Sequence, residues 1–215
     1  AGKEKDFSIS LTSDTATVEA FLNENKSDLV TEAVDNTVKR VDGKFEYVEG
    51  SEGVTLMTGK SAVKIADFIS TDWDGKDASI ELLTEKDEPR GTKEELESIQ
   101  DVLGSYHTDF GTVVNGRTNN IKTGASKLDG LVVYPGETIS VSEAIGPTTA
   151  ENGYYPAGSY ENGTTVETYG GGICQVSTTL YNAVIRAELE IVTRAAHSMI
   201  VSYVEPSMDA AIADG

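Results

Sequence analysis

The sequence of 215 residues predicts an α+β protein built from two small mixed domains. Apolar residues recur with helical spacing in some segments and alternate in short runs in others, which indicates both helices and strands. Pro89 and Gly91 interrupt this pattern, and the half that follows is richer in glycine and tyrosine. Because domains usually hold roughly 100–150 residues, we predict one domain at residues 1–104 and a second at residues 105–215.

The elements of the first half are predicted from apolar spacing and turn residues. They are a strand at Phe7–Leu11, a helix around Val18–Leu22, a hairpin of Thr37–Val41 and Lys44–Val48 about Asp42-Gly43, a helix at Lys60–Ser70 and a strand at Ala78–Leu83. Asp-Gly between two strand-like runs is a strong hairpin signal. Thr92 and Glu95 form a capping box, which predicts a helix carrying Leu96, Ile99 and Leu103.

The elements of the second half surround a long glycine-rich segment. They are a helix at Arg117–Leu128 with Ile121, Ala125 and Leu128 inward, strands at Leu131–Tyr134 and Thr138–Val141 about the turn Pro135-Gly136, a loop-rich stretch at Gly146–Gly172, a helix directly after it, and a strand at His197–Val204. We expect the helix after the glycine-rich loop to pack on a β-sheet.

The composition argues against several classes of function. A formal net charge of −19 with scattered basic residues argues against binding to nucleic acid or to an anionic membrane surface. The single cysteine cannot form an intramolecular disulfide, and with two histidines it does not supply a zinc site, so we expect no metal and no other cofactor. No apolar run approaches the roughly 18–20 residues of a membrane span. The chain starts at Ala1 without Met, so an export signal or a membrane anchor would lie outside these residues.

Cys174 lies in the most informative segment, directly after Gly170, Gly171 and Gly172. Glycines permit unusual backbone dihedrals and the close approach of a substrate. The helix predicted to follow has one apolar face, made of Val176, Leu180, Ala183, Val184 and Ala187. Cys174 would then lie at the helix N-terminus, where the helix dipole and free N–H groups favour a thiolate and lower the thiol pKa. The same N–H groups could receive an oxyanion during acyl transfer.

Two histidines are available as partners for Cys174. His107 lies in a polar connection between the domains, where a surface position is expected. His197 opens the predicted last strand, and a histidine at a strand edge could contact a cysteine on a neighbouring helix. The same chain order occurs in papain-like hydrolases. We therefore predict Cys174 and His197 as a catalytic pair, with a structural cysteine and a structural histidine as an equal alternative on spacing alone.

The group that orients the imidazole is not assigned. Asp209 is close in sequence, but a hairpin loop at Glu205–Met208 would pair Val204 with Asp209. His197 would then lie about 23 Å further along its strand. Arg194 is closer, and it either binds a substrate carboxylate or forms a structural ion pair.

Four segments of the second half resemble the VanW family. They are Arg117-Thr118-Asn119-Asn120-Ile121, Tyr134-Pro135-Gly136-Glu137-Thr138, the block from Gly170 through Cys174 to Asn182, and the stretch from Arg194 through His197-Ser198 to Tyr203. The glycine–cysteine block is long and highly specific. Ser207-Met208 replaces the family's usual Gly-Arg before Asp209-Ala210. The first half resembles, more loosely, the peptidoglycan-binding domain that often precedes VanW or YkuD domains.

The resemblance implies an extracytoplasmic protein of the bacterial cell envelope, often in Gram-positive species, that acts on peptidoglycan stem peptides. Some members of the family have been proposed to be L,D-transpeptidases. Cys174 would attack a donor stem peptide and form a thioester, and His197 would take the thiol proton and later activate the acceptor amine. The product would be a 3-3 cross-link. The substrate contacts expected are Arg117, Gly172, Gln175, Ser177 and Arg194.

Two other functions stay open. In a peptidoglycan amidase or endopeptidase, water would replace the acceptor amine after the same acyl-enzyme step. In a non-catalytic peptidoglycan-binding module, Cys174→Ala would leave function intact. The sequence predicts neither the oligomeric state nor the role of the first domain.

Overall fold

The structure, a computed structural model, describes residues 11–112, 115–161 and 163–212, and it confirms the α+β class. The chain divides into two compact units, Ala1–Ser98 and Ile99–Gly215. Gly104, at the predicted boundary, lies in the second unit, where a Cβ would clash with the backbone oxygen of Ala183. Phe7 and Ile9 of the predicted first strand lie outside the described residues. No helix in the described ranges is long and apolar enough to cross a membrane.

In the described residues of the first unit, two α-helices pack together beside a short third α-helix and two antiparallel strand pairs. Its elements are α1 Thr15–Asn25, a short 3-10 helix Lys26–Asp28, β1 Thr37–Val41, β2 Lys44–Val48, β3 Gly53–Leu56, α2 Thr58–Thr71, β4 Thr84–Asp87 and α3 Lys93–Glu97. β1 pairs with β2, and β3 pairs with β4. Leu22, Leu56 and Ala62 form the buried core. The predicted α1, α2 and hairpin are confirmed, and Asp42 and Gly43 have the positive φ values, +49° and +81°, that such a turn needs.

The strand predicted at residues 78–83 is wrong, because strand pairing begins only at Thr84. The backbone of Leu83, the residue before β4, forms hydrogen bonds with α2 and with the residue that precedes α2. Leu83 N–H donates to Ser61 Oγ at 2.9 Å, and Leu83 O accepts from Met57 N–H at 2.9 Å. Since both polar groups of Leu83 have these partners, neither is available to a neighbouring strand.

The capping box of Thr92 and Glu95 is confirmed, but α3 is shorter than predicted. It ends at Glu97 because the N–H and the hydroxyl of Ser98 both turn back to Glu95 O, at 3.2 and 2.6 Å. The residues predicted beyond this point, Ile99 and Leu103, lie outside α3.

The described residues of the second unit form three helices and one hairpin. Its elements are α4 Gly116–Leu128, α5 Val141–Ile145, β5 Pro156–Glu161, β6 Thr164–Tyr169 and α6 Ile173–Arg186. The predicted helices at α4 and α6 are confirmed. α4 packs against α5, β5 and α6. Ile145, Tyr154 and Ile173 form the buried core. Within α4, Ile121 is buried as predicted, whereas Ala125 is exposed.

The strands predicted for the second unit are wrong. Residues 131–134 and 197–204 form no strand, and residues 138–141 lead into α5, whose N-cap Ser140 accepts a hydrogen bond from Glu143 N–H. The strand pair is β5 and β6, inside the stretch predicted as loop. Asn162-Gly163, between two alternating runs, is the sequence signal for that hairpin. α6 therefore packs mainly against α4. In place of the β-sheet that was expected to support α6, the second unit has the two-stranded pair of β5 and β6, which packs on α4.

Candidate active site

The glycine run allows α6 to begin against neighbouring backbone. Gly172, the N-cap of α6, has φ +108°, and a Cβ there would lie 2.8 Å from Cγ of Arg117. A Cβ on Gly171 would clash with the carbonyl oxygen of Ala157 in β5. Both positions therefore favour glycine strongly. As predicted, Cys174 lies in the first turn of α6, where it is half-buried.

The buried face of α6 is largely polar, which corrects the predicted apolar face. Its buried residues are Ile173, Gln175, Val176, Ser177, Thr178 and Asn182, whereas Leu180, Ala183, Val184 and Ala187 are only half-buried. Three of the polar side chains bond the backbone of residues 208–212, which offsets their desolvation. The bonds are Ser177 Oγ to Ala210 O at 2.6 Å, Ala210 N–H to Thr178 Oγ1 at 3.0 Å and Asn182 Nδ2 to Met208 O at 2.7 Å.

Residues 208–212 form an extended segment, the docking segment, whose backbone alternates between two neighbours. Its even-numbered residues bond α6, and both the N–H and the carbonyl oxygen of Ile212 lie 3.5 Å from Cys174 Sγ. Its odd-numbered residues face the other way, and Ala211 N–H donates to Ala195 O at 2.9 Å. This alternation is that of a strand. The docking segment thus contacts the cysteine on one side and the chain around residue 195 on the other.

Asp209 holds His197 through two contacts to a single oxygen. Its Oδ2 accepts the His197 backbone N–H at 2.6 Å and lies 2.7 Å from the ring Nδ1. A carboxylate at Nδ1 favours the tautomer with a proton there, which leaves Nε2 as a proton acceptor. This corrects the geometric argument against Asp209. The assumed pairing of Val204 with Asp209 does not form; the bridge joins Ala195 to Ala211, and the long intervening loop returns Asp209 to His197.

Arg194 binds the other side of Asp209. Its Nη2 lies 3.1 Å from Asp209 Oδ1, and its Nε donates to Asp209 O at 2.7 Å. The structural ion pair is therefore present. Burial raises the pKa of Asp209, but hydrogen bonds from His197 outweigh it and hold the net pKa below its usual value. Asp209 is consequently a carboxylate at neutral pH.

Tyr203 belongs to this site, although it is not among the residues predicted from the sequence. Its ring meets the His197 ring edge-on, with 6.4 Å between centroids. Side-chain hydrogen bonding with Thr178, one helical turn after Cys174 on the same face, lowers the pKa of its phenol, but burial has the larger effect. Burial raises the pKa of Tyr203 to about 12, so the phenol is neutral at physiological pH. Its place at the end of the block that begins at Arg194 is the signal that could have identified it.

A second polar cluster fixes Arg117 beside the start of α6. Its Nη2 donates to Gln175 Oε1 at 2.7 Å. Gln175 is 2% exposed, and its amide group donates to Thr108 Oγ1 at 2.9 Å and to Asp109 O at 3.0 Å. Because both ends of this amide are bonded, its oxygen is held towards Arg117. The structure thus brings together Arg117, Gly172 and Gln175, three of the predicted substrate contacts.

The other predicted residues fall beside the docking segment. Ser177 is 6% exposed and bonds the backbone, so the structure gives it a positioning role. Cys174 and His197 are both held by the docking segment, while a direct contact between them stays a prediction. His107 is exposed, as predicted.

An open cavity of about 270 Å³ lies on the His197 side of the site. Its walls include Arg194, His197, Met199, Ile200, Glu205 and Asp209. In the described part of the chain, no group of three His, Cys, Asp or Glu side chains could hold a metal ion.

The family described as VanW like protein matches residues 116–215, so this part of the chain is a VanW-like domain. Over 113 residues, 53% of the chain, it is 44% identical to the "Uncharacterized protein YoaR" of Bacillus subtilis (strain 168), covering 37% of that protein. Over 108 residues, 50% of the chain, it is 29% identical to the "Vancomycin B-type resistance protein VanW" of Enterococcus faecalis (strain ATCC 700802 / V583), covering 39% of it. The chain thus spans less than two fifths of the length of these relatives. No solved structure matches the chain. The resemblance of the second half is confirmed, and that of the first half stays a prediction.

Proposed function

We propose that the second unit remodels bacterial peptidoglycan by cysteine acyl transfer, as an L,D-transpeptidase that forms 3-3 cross-links. The observation that supports this most is the docking segment, which contacts Cys174 through Ile212 and His197 through Asp209. An imidazole oriented by a carboxylate is the usual activator of a thiol nucleophile. The name of the Enterococcus faecalis relative, a vancomycin resistance protein, supports a role in the cell wall.

The proposed reaction has two steps without oxidation or reduction. Cys174 passes its proton to His197 Nε2, and the thiolate attacks the carbonyl carbon of the donor peptide bond. As the C–N bond breaks, His197 returns the proton to the leaving amine, and a thioester remains. The acceptor amine then attacks the thioester, gives a proton to His197, and displaces the thiolate, which is reprotonated. Asp209 stays ionised and stabilises the imidazolium.

The test is an incubation of the full chain with tetrapeptide muropeptides, with products identified by mass spectrometry. We expect cross-linked dimers with the wild type and none with Cys174→Ala or His197→Gln. His107→Gln is the matched control, because it removes the other, exposed histidine and should retain activity. Shortened stems in place of dimers would indicate an amidase or endopeptidase. An unchanged substrate with the wild type would contradict both enzyme functions and would favour a non-catalytic peptidoglycan-binding module.

A peptidoglycan substrate requires the site to lie outside the cytoplasmic membrane, in a secreted or membrane-anchored protein. We expect externally added protease to cleave the protein in intact cells from which the outer wall layers have been removed. Protection equal to that of a cytoplasmic marker would contradict this localisation.

A further inference from the structure

Arg117 carries a positive charge without a carboxylate partner among the residues that the structure describes. The other arginines of the second unit are engaged differently. Arg194 forms an ion pair with Asp209. Arg186 also has no carboxylate partner in the described part of the chain, but it donates to Asn182 O at 2.6 Å within its own helix and lies over the Tyr106 ring at 4.3 Å from its centroid. In a chain with 36 acidic and 17 basic residues, a partner for every arginine would be easy to supply. The position of Arg117 therefore keeps its charge available.

The group that holds Arg117 is neutral and rigid. Gln175 offers its amide oxygen to the guanidinium, and its amide nitrogen is fixed by Thr108 and Asp109. Thr108 is held in turn by Thr179, with 2.7 Å between their hydroxyl oxygens. A carboxylate at position 175 would hold Arg117 but neutralise it, whereas the amide orients it and preserves its charge. One bond to Gln175 leaves most of the five guanidinium N–H donors for a ligand.

Arg117 also lies close to the proposed nucleophile. Its side chain crosses the N-cap of α6, with Cγ 2.8 Å from the place of a Cβ on Gly172. Cys174 follows two residues later, within one helical turn of about 5.4 Å. Arg117 thus contacts Gly172 and Gln175, the residues on either side of Ile173 and Cys174. In a peptide, one residue spans about 3.3–3.8 Å. A carboxylate one residue beyond the attacked carbonyl would therefore lie only a few ångströms from that carbonyl, on the scale of one helical turn.

We infer that Arg117 binds the terminal carboxylate of the acyl donor, so that the site takes peptides whose scissile bond precedes their last residue. This inference rests on the proposed acyl transfer and names its substrate class. Two parallel N–H donors of a guanidinium match the two oxygens of a carboxylate. An internal peptide bond would place a neutral amide at this position and leave the guanidinium without its anion.

The test measures binding without chemistry, in the full chain carrying Cys174→Ala. Calorimetry compares a stem tetrapeptide with the same peptide ending in a carboxamide. We expect the free acid to bind roughly 10-fold tighter or more, as is usual for a charge-assisted contact. Adding Arg117→Gln should reduce the ratio of the two affinities, free acid over carboxamide, to about one. Arg117→Lys should give an intermediate ratio, because lysine keeps the positive charge but lacks the two parallel N–H donors of a guanidinium. Arg186→Gln is the matched control and should keep the full ratio.

Equal affinity for acid and amide, or a full ratio in both Arg117 variants, would overturn the inference. If the melting curve of Arg117→Gln shows that this variant does not fold, the ratio of affinities for acid and amide is measured in Arg117→Lys instead. Thioester formation by the wild type, followed by intact mass, is scored separately. If the free acid and the carboxamide form the thioester at equal rates, the inference about Arg117 is overturned, whereas the proposed acyl transfer is still supported. Selective binding of the acid without any thioester would overturn the proposed function and leave the carboxylate site.

Discussion

Asp209 links three groups: the imidazole of His197, the guanidinium of Arg194 and, through its neighbours Met208 and Ala210, α6. We expect Asp209→Asn to lower the transpeptidation rate by about 10²–10⁴, because an amide no longer favours the tautomer with Nε2 free. It should also lower the free energy of unfolding by about 1–3 kcal/mol, since Asp209 is only 8% exposed and accepts charged hydrogen bonds.

The measurements for this variant are muropeptide turnover and urea unfolding. Asp129→Asn removes an exposed carboxylate in the same unit and should change neither. Full activity in Asp209→Asn would show that Asp209 has only a structural role.

The lowered pKa of Asp209 also predicts an acid dependence of stability. A carboxylate whose pKa falls on folding stabilises the folded state fully above its unfolded value, here 3.8. That contribution is lost as the pH falls through the lower folded pKa. We expect the urea midpoint of the wild type to fall more than that of Asp209→Asn between about pH 6 and about pH 3. Asp14 and Glu95, whose pKa values are also lowered, are present in both proteins, so the difference isolates Asp209. Parallel curves would contradict the prediction.

At the scale of single elements, the start of α6 depends on glycine at one crowded point. Gly171 has no room for a Cβ beside Ala157 O, so Gly171→Ala must displace β5 or α6. We expect a loss of about 1–3 kcal/mol in the free energy of unfolding, with a parallel loss of turnover. Gly158→Ala is the control in the same hairpin, because its Cβ would meet Thr165 at an ordinary 3.7 Å. That variant should stay within about 0.5 kcal/mol of the wild type in urea unfolding. Equal stability of both variants would contradict this account.

The sequence predicts the elements whose signals are local. The helices α1, α2, α4 and α6 follow apolar spacing, and the first hairpin follows from Asp42-Gly43. The strands predicted at residues 131–134, 138–141 and 197–204 fail because alternation does not reveal a partner. In the last of these, the first N–H goes to the Asp209 carboxylate instead of a neighbouring strand.

The candidate site also has one part that local sequence signals predict and one part that they do not. Cys174 at a helix start can be predicted from the glycines before it, because helix initiation is local. The contact between Asp209 and His197 depends on the register of one bridge, Ala195 with Ala211, across a long loop. A small error in such a register moves a side chain by many ångströms, so the position of Asp209 beside His197 could not be predicted from the sequence.

At the scale of the whole molecule, the site belongs entirely to the second unit. The docking segment, Arg117 and the core around Ile145, Tyr154 and Ile173 all lie within Ile99–Gly215. The first unit has its own core around Leu22. Chains of about 100–150 residues commonly fold alone. We therefore expect a fragment of residues 99–215 to unfold cooperatively, with a transition that matches one of two transitions in the full chain.

Calorimetry of the fragment and the full chain tests this independence. Asp209→Asn should shift only the transition shared with the fragment, and Leu22→Ala should shift only the other, by an amount typical of a core cavity of about 2–5 kcal/mol. The fragment should also keep the preference for a free terminal carboxylate, because Arg117 and Gln175 both belong to it. A single transition that both substitutions move would mean that the units fold as one. The first unit would then contribute to the stability of the site.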